Sequence, residues 1–155
     1  VFGGGNSGSV SNVIDYITIS STGDATDFGN LTHARQYISS TSNNTSGRGI
    51  FAGGNSSGSN RDIIDYVTIS STGDATDFGN LNSVTHGPGA TSNGTSDRGV
   101  IGGGNTGTTT VTIDYVTISS TGDATDFGDL TVARAYVGAT SNLTSNRGVF
   151  AGGDG

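Results

Sequence analysis

The chain is 155 residues long, the size of one ordinary domain, with 30% hydrophobic residues, 28 glycines and a net charge of −7. Every acid is aspartate and every base arginine, so a partner held by its phosphates would find no basic face, and the balance argues against nucleic acid. Without cysteine neither disulfides nor thiolate metal sites form, and no segment has the length and hydropathy of a membrane span or a signal peptide.

So few apolar residues would suit a disordered chain, but disordered chains are usually rich in Lys, Glu and Pro. Here Lys and Glu are absent, there is one proline, and the apolar residues cluster at fixed places. An ordered fold of short strands and tight turns fits this pattern better. The chain has no Met and opens within a repeat, at Val1-Phe2-Gly3-Gly4-Gly5, so it reads as a processed chain or a portion of something longer.

From the N-terminus onward, Ile14–Leu31 (IDYITISSTGDATDFGNL) is the first copy of a segment that returns as Ile64–Leu81 and Ile113–Leu130. Asp15, Asp65 and Asp114 stand 50 and 49 residues apart, and Phe28, Phe78 and Phe127 keep the same intervals, as do Arg48, Arg98 and Arg147. Three repeats of about 50 residues follow, with units near 1–33, 34–83, 84–132 and 133–155, the first and last partial. The length difference falls in the loop after the glycine pair.

Each unit reads as four antiparallel strands. The pattern predicts an inner strand over Ala34–Thr41, a turn at Ser42-Asn43-Asn44, and a second strand over Arg48–Ala52 ending at Gly53-Gly54. The polar loop Asn55–Arg61 leads to a third strand, Ile63–Ser70, and the turn Ser71-Thr72-Gly73-Asp74 to a fourth, Thr76–Leu81. No segment keeps apolar residues at i, i+3 and i+4 for three turns, so the fold class is all-β. In Ile64-Asp65-Tyr66-Val67-Thr68-Ile69 large apolar residues fall on both alternating faces, which requires a sheet covered on both sides.

The Gly-Gly after Phe51-Ala52, the Tyr at 66, Phe78 with Leu81, and Ala34-Arg35 or Ala133-Arg134 entering the next strand together resemble the kelch repeat of β-propellers, with Phe where kelch repeats usually carry Trp. The segment IDYxTISSTGDATDFGxL is also similar to kelch-like repeats in marine bacteriophage structural and tail proteins. The resemblance implies four-stranded propeller blades. Three blades do not close a ring, since propellers have about four to eight, so self-association or further blades of a longer chain are expected.

The turns Gly23–Asp27, with copies at Asp74/Asp77 and Asp123/Asp126, place two carboxylates three residues apart. Calcium is one reading, although it wants six to eight oxygens; an Asp accepting backbone N–H bonds in an Asx-type turn is the other, and no metal is assigned. Asp15, Asp65 and Asp114 recur identically beside Tyr, which points to structure, with Arg48, Arg98 and Arg147 as the natural partners. The runs Gly3-Gly4-Gly5 and Gly102-Gly103-Gly104 are not followed by a helix that could hold a phosphate, and read as strand ends where blades approach closely. N-x-S/T triplets, for example at Asn30, Asn93 and Asn142, are expected by chance in this composition.

Enzymatic readings fare poorly. Copper radical oxidases on kelch-like propellers need Cys, sialidase-like propellers need Glu, and this chain has neither. His33 and His86 have no recognisable nucleophile partner. No cofactor is implied.

The copies differ most in the loops NSGSVSN, NSSGSNRD and NTGTTT and in the crossings after the fourth strand, which emerge at the same end if strands alternate up and down. Any ligand contacts are expected there, with Arg35, Tyr37, His86, Arg134 and Tyr136 adding charge or aromatic area. The expected function is a non-catalytic structural or adhesive propeller module of a phage tail, fibre or appendage, in a virion or extracellular setting. The alternative is a lectin-like propeller that recognises a surface glycan.

Overall fold

A computed structural model describes residues 1–142 and 145–155. All regular structure among them is β. The first sheet is formed by β1 (Phe2–Gly3), β2 (Val13–Tyr16) and β3 (Thr26–Asn30). The second contains β4 (Ser39–Ser42), β5 (Arg48–Ala52), the short β6 (Asn55–Ser56), β7 (Ser59–Thr68) and β8 (Thr76–Thr85). The third is β9 (Gly89–Thr91), β10 (Arg98–Gly102), β11 (Thr112–Thr117) and β12 (Thr125–Asp129). A fourth contains β13 (Gly138–Ser141) and β14 (Gly148–Ala151). Every pairing is antiparallel, and the described sheets do not close into a barrel or ring.

The second strand, β5, falls where the sequence pattern places it. The inner strand does not: β4 starts only at Ser39, because Tyr37 has a φ of 56° that no extended strand permits. Gln36 instead bridges to Asn55, after β5. The predicted loop 55–61 contains its own hairpin, β6 against the start of β7, around Ser57 and Gly58. Both have positive φ, as a type I′ turn needs.

Sheets stack face to face. Ile14, Phe28 and Leu31 of the first sheet pack with Phe51 and Val67 of the second. The opposite face of the second sheet, through Ile50, Ala52, Ile64, Phe78 and Leu81, packs with Ile101, Val116, Ile118 and Ala124 of the third. Both faces of β7 are therefore buried, and each fully buried Ile or Phe contributes about 1.5–3 kcal/mol. The innermost strands β4, β9 and β13 also touch in succession.

Two repeated devices set this stacking. A β-bulge falls between Ile14 and Asp15, Ile64 and Asp65, and Ile113 and Asp114, with Phe28, Phe78 or Phe127 as the extra residue on the facing strand. Each of these rings meets Tyr16, Tyr66 or Tyr115 edge-on at 6.0 Å. The turns before β8 and β12 also dock on the preceding sheet: Gly73 N–H donates to Phe28 O and Ala75 N–H to Asn30 O, and Gly122 and Ala124 repeat this toward Phe78 and Asn80. Gly29 and Gly79 sit beneath these turns. A Cβ on either would lie 2.4 Å from Gly73 O or Gly122 O.

Candidate functional site

The residues singled out at the loop end divide into an interior set and a surface set. Arg35 is fully buried, and its guanidinium donates to the carbonyls of Gly53 at 2.8 Å, Ile63 at 2.6 Å and Phe51 at 3.4 Å, and to Asp65 Oδ2 at 2.7 Å. Burial pushes the Arg35 pKa down from its ordinary value, against the opposing pull of Asp65. Asp65 also accepts from Thr32 N–H and Oγ1–H. Arg35 therefore locks the crossing from the first sheet onto the second, and none of it reaches solvent. Arg134 is half-buried and reaches back in the same manner to the carbonyls of Phe150 and Gly152.

This corrects the expected partner of the strand aspartates. Asp65 pairs with Arg35 rather than Arg48, and Arg48 instead lies over the Tyr66 ring at 4.3 Å and donates to Ile118 O. Arg98 lies over Tyr115 at 4.6 Å in the same way. At Asp114 the place of Arg35 is taken by Thr85, and Asn82 supplies N–H and Nδ2–H bonds of 3.2 and 2.7 Å.

The aspartates of the turns also work between sheets. Asp74 Oδ1 accepts from Asn30 N–H at 2.9 Å and Asp123 Oδ1 from Asn80 N–H at 2.9 Å, each on the preceding sheet. Among the described residues no three His, Cys, Asp or Glu side chains come together as metal ligands. The Asn of each TSN-x-TS run folds its own turn: Asn43, Asn93 and Asn142 accept from Ser46, Ser96 and Ser145. The N-x-T triplet at Asn142 runs into 143–144, outside the described residues. Asn43 Nδ2–H then donates to Asp97, which also accepts from Ser119. The Ser119 hydroxyl bond, first, and the Asn43 bond hold the Asp97 carboxyl below the ordinary carboxylate value.

The surface set comes together. Tyr37, His86 and Tyr136, from three successive crossings, cluster in tilted and edge-to-face contacts with ring centroids 5.7–5.8 Å apart. Their backbones form a ladder, with Gly87 N–H donating to Tyr37 O at 2.8 Å and Tyr136 N–H to Gly87 O at 2.6 Å. Tyr37 is 51% and Tyr136 48% exposed. His86 is fixed at both nitrogens: Nδ1 lies 2.7 Å from Asn60 Oδ1 and Nε2 3.0 Å from Tyr136 Oη. Asn60 Nδ2–H donates to Asn105 O, so its Oδ1 is the accepting atom and Nδ1 of His86 donates to it; in the neutral ring Nε2 then accepts from the tyrosine hydroxyl.

Tyr37 and Tyr136 hold φ of 56° and 57°, where Gly87 occupies the equivalent place at 65°. Bulky residues in this region cost on the order of 1 kcal/mol each, and such strain concentrates at contact sites. Sequence reasoning found the three rings but missed Asn60, which orients His86; its place in a variable loop was the available signal.

No protein-family model and no curated protein matches the chain. No helix among the described residues is long and apolar enough to cross a membrane.

Proposed function

We propose that the chain is a non-catalytic structural or adhesive module built from kelch-like propeller blades, working in a phage tail, fibre or appendage. The observation that carries this reading is the contrast between covered and open copies of one position. Phe51 is 3% exposed between the first and second sheets, whereas Phe2, its counterpart on the first sheet, is 61% exposed. At the other end Phe127 is 51% exposed where Phe78 is 2%. A stack of sheets with apolar faces open at both ends is suited to further stacking, by a second copy or by additional blades. Electron microscopy of concentrated protein tests this, with rings or linear stacks expected; uniformly single 155-residue particles would contradict it.

The second reading, recognition of a surface glycan, is favoured by the Tyr37–His86–Tyr136 cluster. Exposed aromatic faces beside an oriented imidazole provide apolar area for sugar C–H groups and polar atoms for hydroxyls. A glycan array tests it: binding that Tyr37→Ala and Tyr136→Ala each abolish supports the reading, and binding that neither changes removes it.

A further inference from the structure

The two complete sheets treat their buried strand aspartate differently. Asp65 is fully buried and receives the Arg35 guanidinium. Asp114 is 6% exposed, and its counterpart to Arg35 is Thr85, a hydroxyl on a short stem. Asn82 matches the two bonds that Thr32 gives Asp65, so only the positive charge has no replacement; among the described residues no cation lies within ion-pair distance of Asp114. An uncompensated buried carboxylate is costly.

The space left by the guanidinium is still there. A cavity of about 20 Å³ is lined by Thr85, Ile101, Gly103, Thr112 and Asp114. By repeat position these are the counterparts of Arg35, Phe51, Gly53, Ile63 and Asp65, the arginine and every residue whose oxygen it meets. The residues whose carbonyls and carboxylate surround a cation in the second sheet therefore have their counterparts around an opening in the third. Thr85, one of the lining residues, has its Oγ1 buried with no hydrogen-bond partner, on the side of Gly104. The volume suffices for one water-sized particle, which needs about 10–15 Å³.

We infer that this cavity binds a small monovalent cation of the sodium class, held by the Asp114 carboxylate, the carbonyls of Ile101, Gly103 and Thr112, and the Thr85 hydroxyl. One carboxylate among neutral oxygens balances a single positive charge. Calcium takes six to eight oxygens, usually with several carboxylates among them, and magnesium keeps several waters, so both fit this small, singly charged site poorly. The ion takes the place of the arginine and locks the third sheet to the crossing that precedes it. This inference is independent of what the module binds outside.

The test compares thermal unfolding of the whole chain in sodium chloride and in choline chloride at equal ionic strength, which cancels the general screening of a chain of charge −7. A dissociation constant of about 10 mM in 300 mM sodium raises Tm by roughly 4–8 °C. Thr85→Arg is expected to lose the difference because it carries its own guanidinium, and Asp114→Asn to lose it for want of the carboxylate. Equal Tm in both salts, or a sodium response kept by either variant, overturns the inference. Should a variant not fold, thallium(I) soaked into crystals of the native chain decides: an anomalous peak between Asp114 and Thr85 is expected, and its absence, leaving only water, refutes the site.

Discussion

Arg35 Nη2 lies 2.7 Å from Asp65 Oδ2, and both side chains are shut off from solvent. A buried pair of this kind is costly to break from one side, because the remaining charge stays buried and unpaired. Arg35→Ala is expected to lose about 3–5 kcal/mol in urea unfolding. The double variant Arg35→Ala/Asp65→Ala should lose less than the sum of the two single losses, which a double-mutant cycle reads directly.

Gly79 and Gly128 occupy one strand position in successive sheets, with φ of 146° and 136°. A Cβ on Gly79 would stand 2.4 Å from Gly122 O, whereas one on Gly128 meets nothing within 4 Å. Gly128→Ala bears the backbone strain alone; Gly79→Ala must also push the docked turn away. Gly79→Ala is therefore expected to unfold at lower denaturant, by at least about 2 kcal/mol relative to Gly128→Ala.

Asp97 is held below its ordinary value of 3.8 by bonds from Ser119 and Asn43. A carboxylate whose folded pKa is depressed contributes stability that is fully present above the unfolded value and is lost as pH falls through the folded one. Native stability should thus be lost only as the pH falls below the ordinary carboxylate value and through the lower one that Asp97 has in the folded chain. Asp97→Asn is expected to flatten part of that acid limb while leaving its own stability at pH 7 below that of the native chain, as measured by urea unfolding across the range.

Tyr37 and its counterpart Gly87 share a left-handed backbone. Replacing Tyr37 by Gly or by Ala removes the same ring, so their difference reports the backbone alone. Tyr37→Gly should exceed Tyr37→Ala in stability by about 1 kcal/mol, and both should lose any ligand the aromatic cluster holds.

Much of the fold was legible because repetition marks where structure recurs. Apolar residues on both faces of Ile64–Ile69 required neighbours on both sides, and Phe51, Val67, Ile64 and Phe78 meet them. Strand β5 follows from Arg48–Ala52 standing between two turn signals. The inner strand was overextended because nothing in the letters Gln36-Tyr37 announces a positive φ at a tyrosine. The aspartate partner was misassigned for a related reason. Arg48 keeps step with Asp65 in every repeat, while Arg35 is replaced by Thr85 in the middle crossing, so strict recurrence favoured the wrong arginine. The Asp65 carboxylate meets Thr32 and Arg35 of the crossing, and only three-dimensional placement reveals that. Tyr37, His86 and Tyr136 were found from their chemistry, but their convergence depends on the backbone ladder through Gly87.

The stacking account is tested most directly by sedimentation equilibrium of the native 15.4 kDa chain beside Phe2→Asp and Phe127→Asp. The native chain is expected to form dimers or longer assemblies at micromolar concentration, and each variant, with a charge on an open face, to shift toward monomer while keeping the native β-sheet circular dichroism spectrum. A native chain that stays monomeric up to millimolar concentration, or variants that assemble as well as it does, would contradict the account.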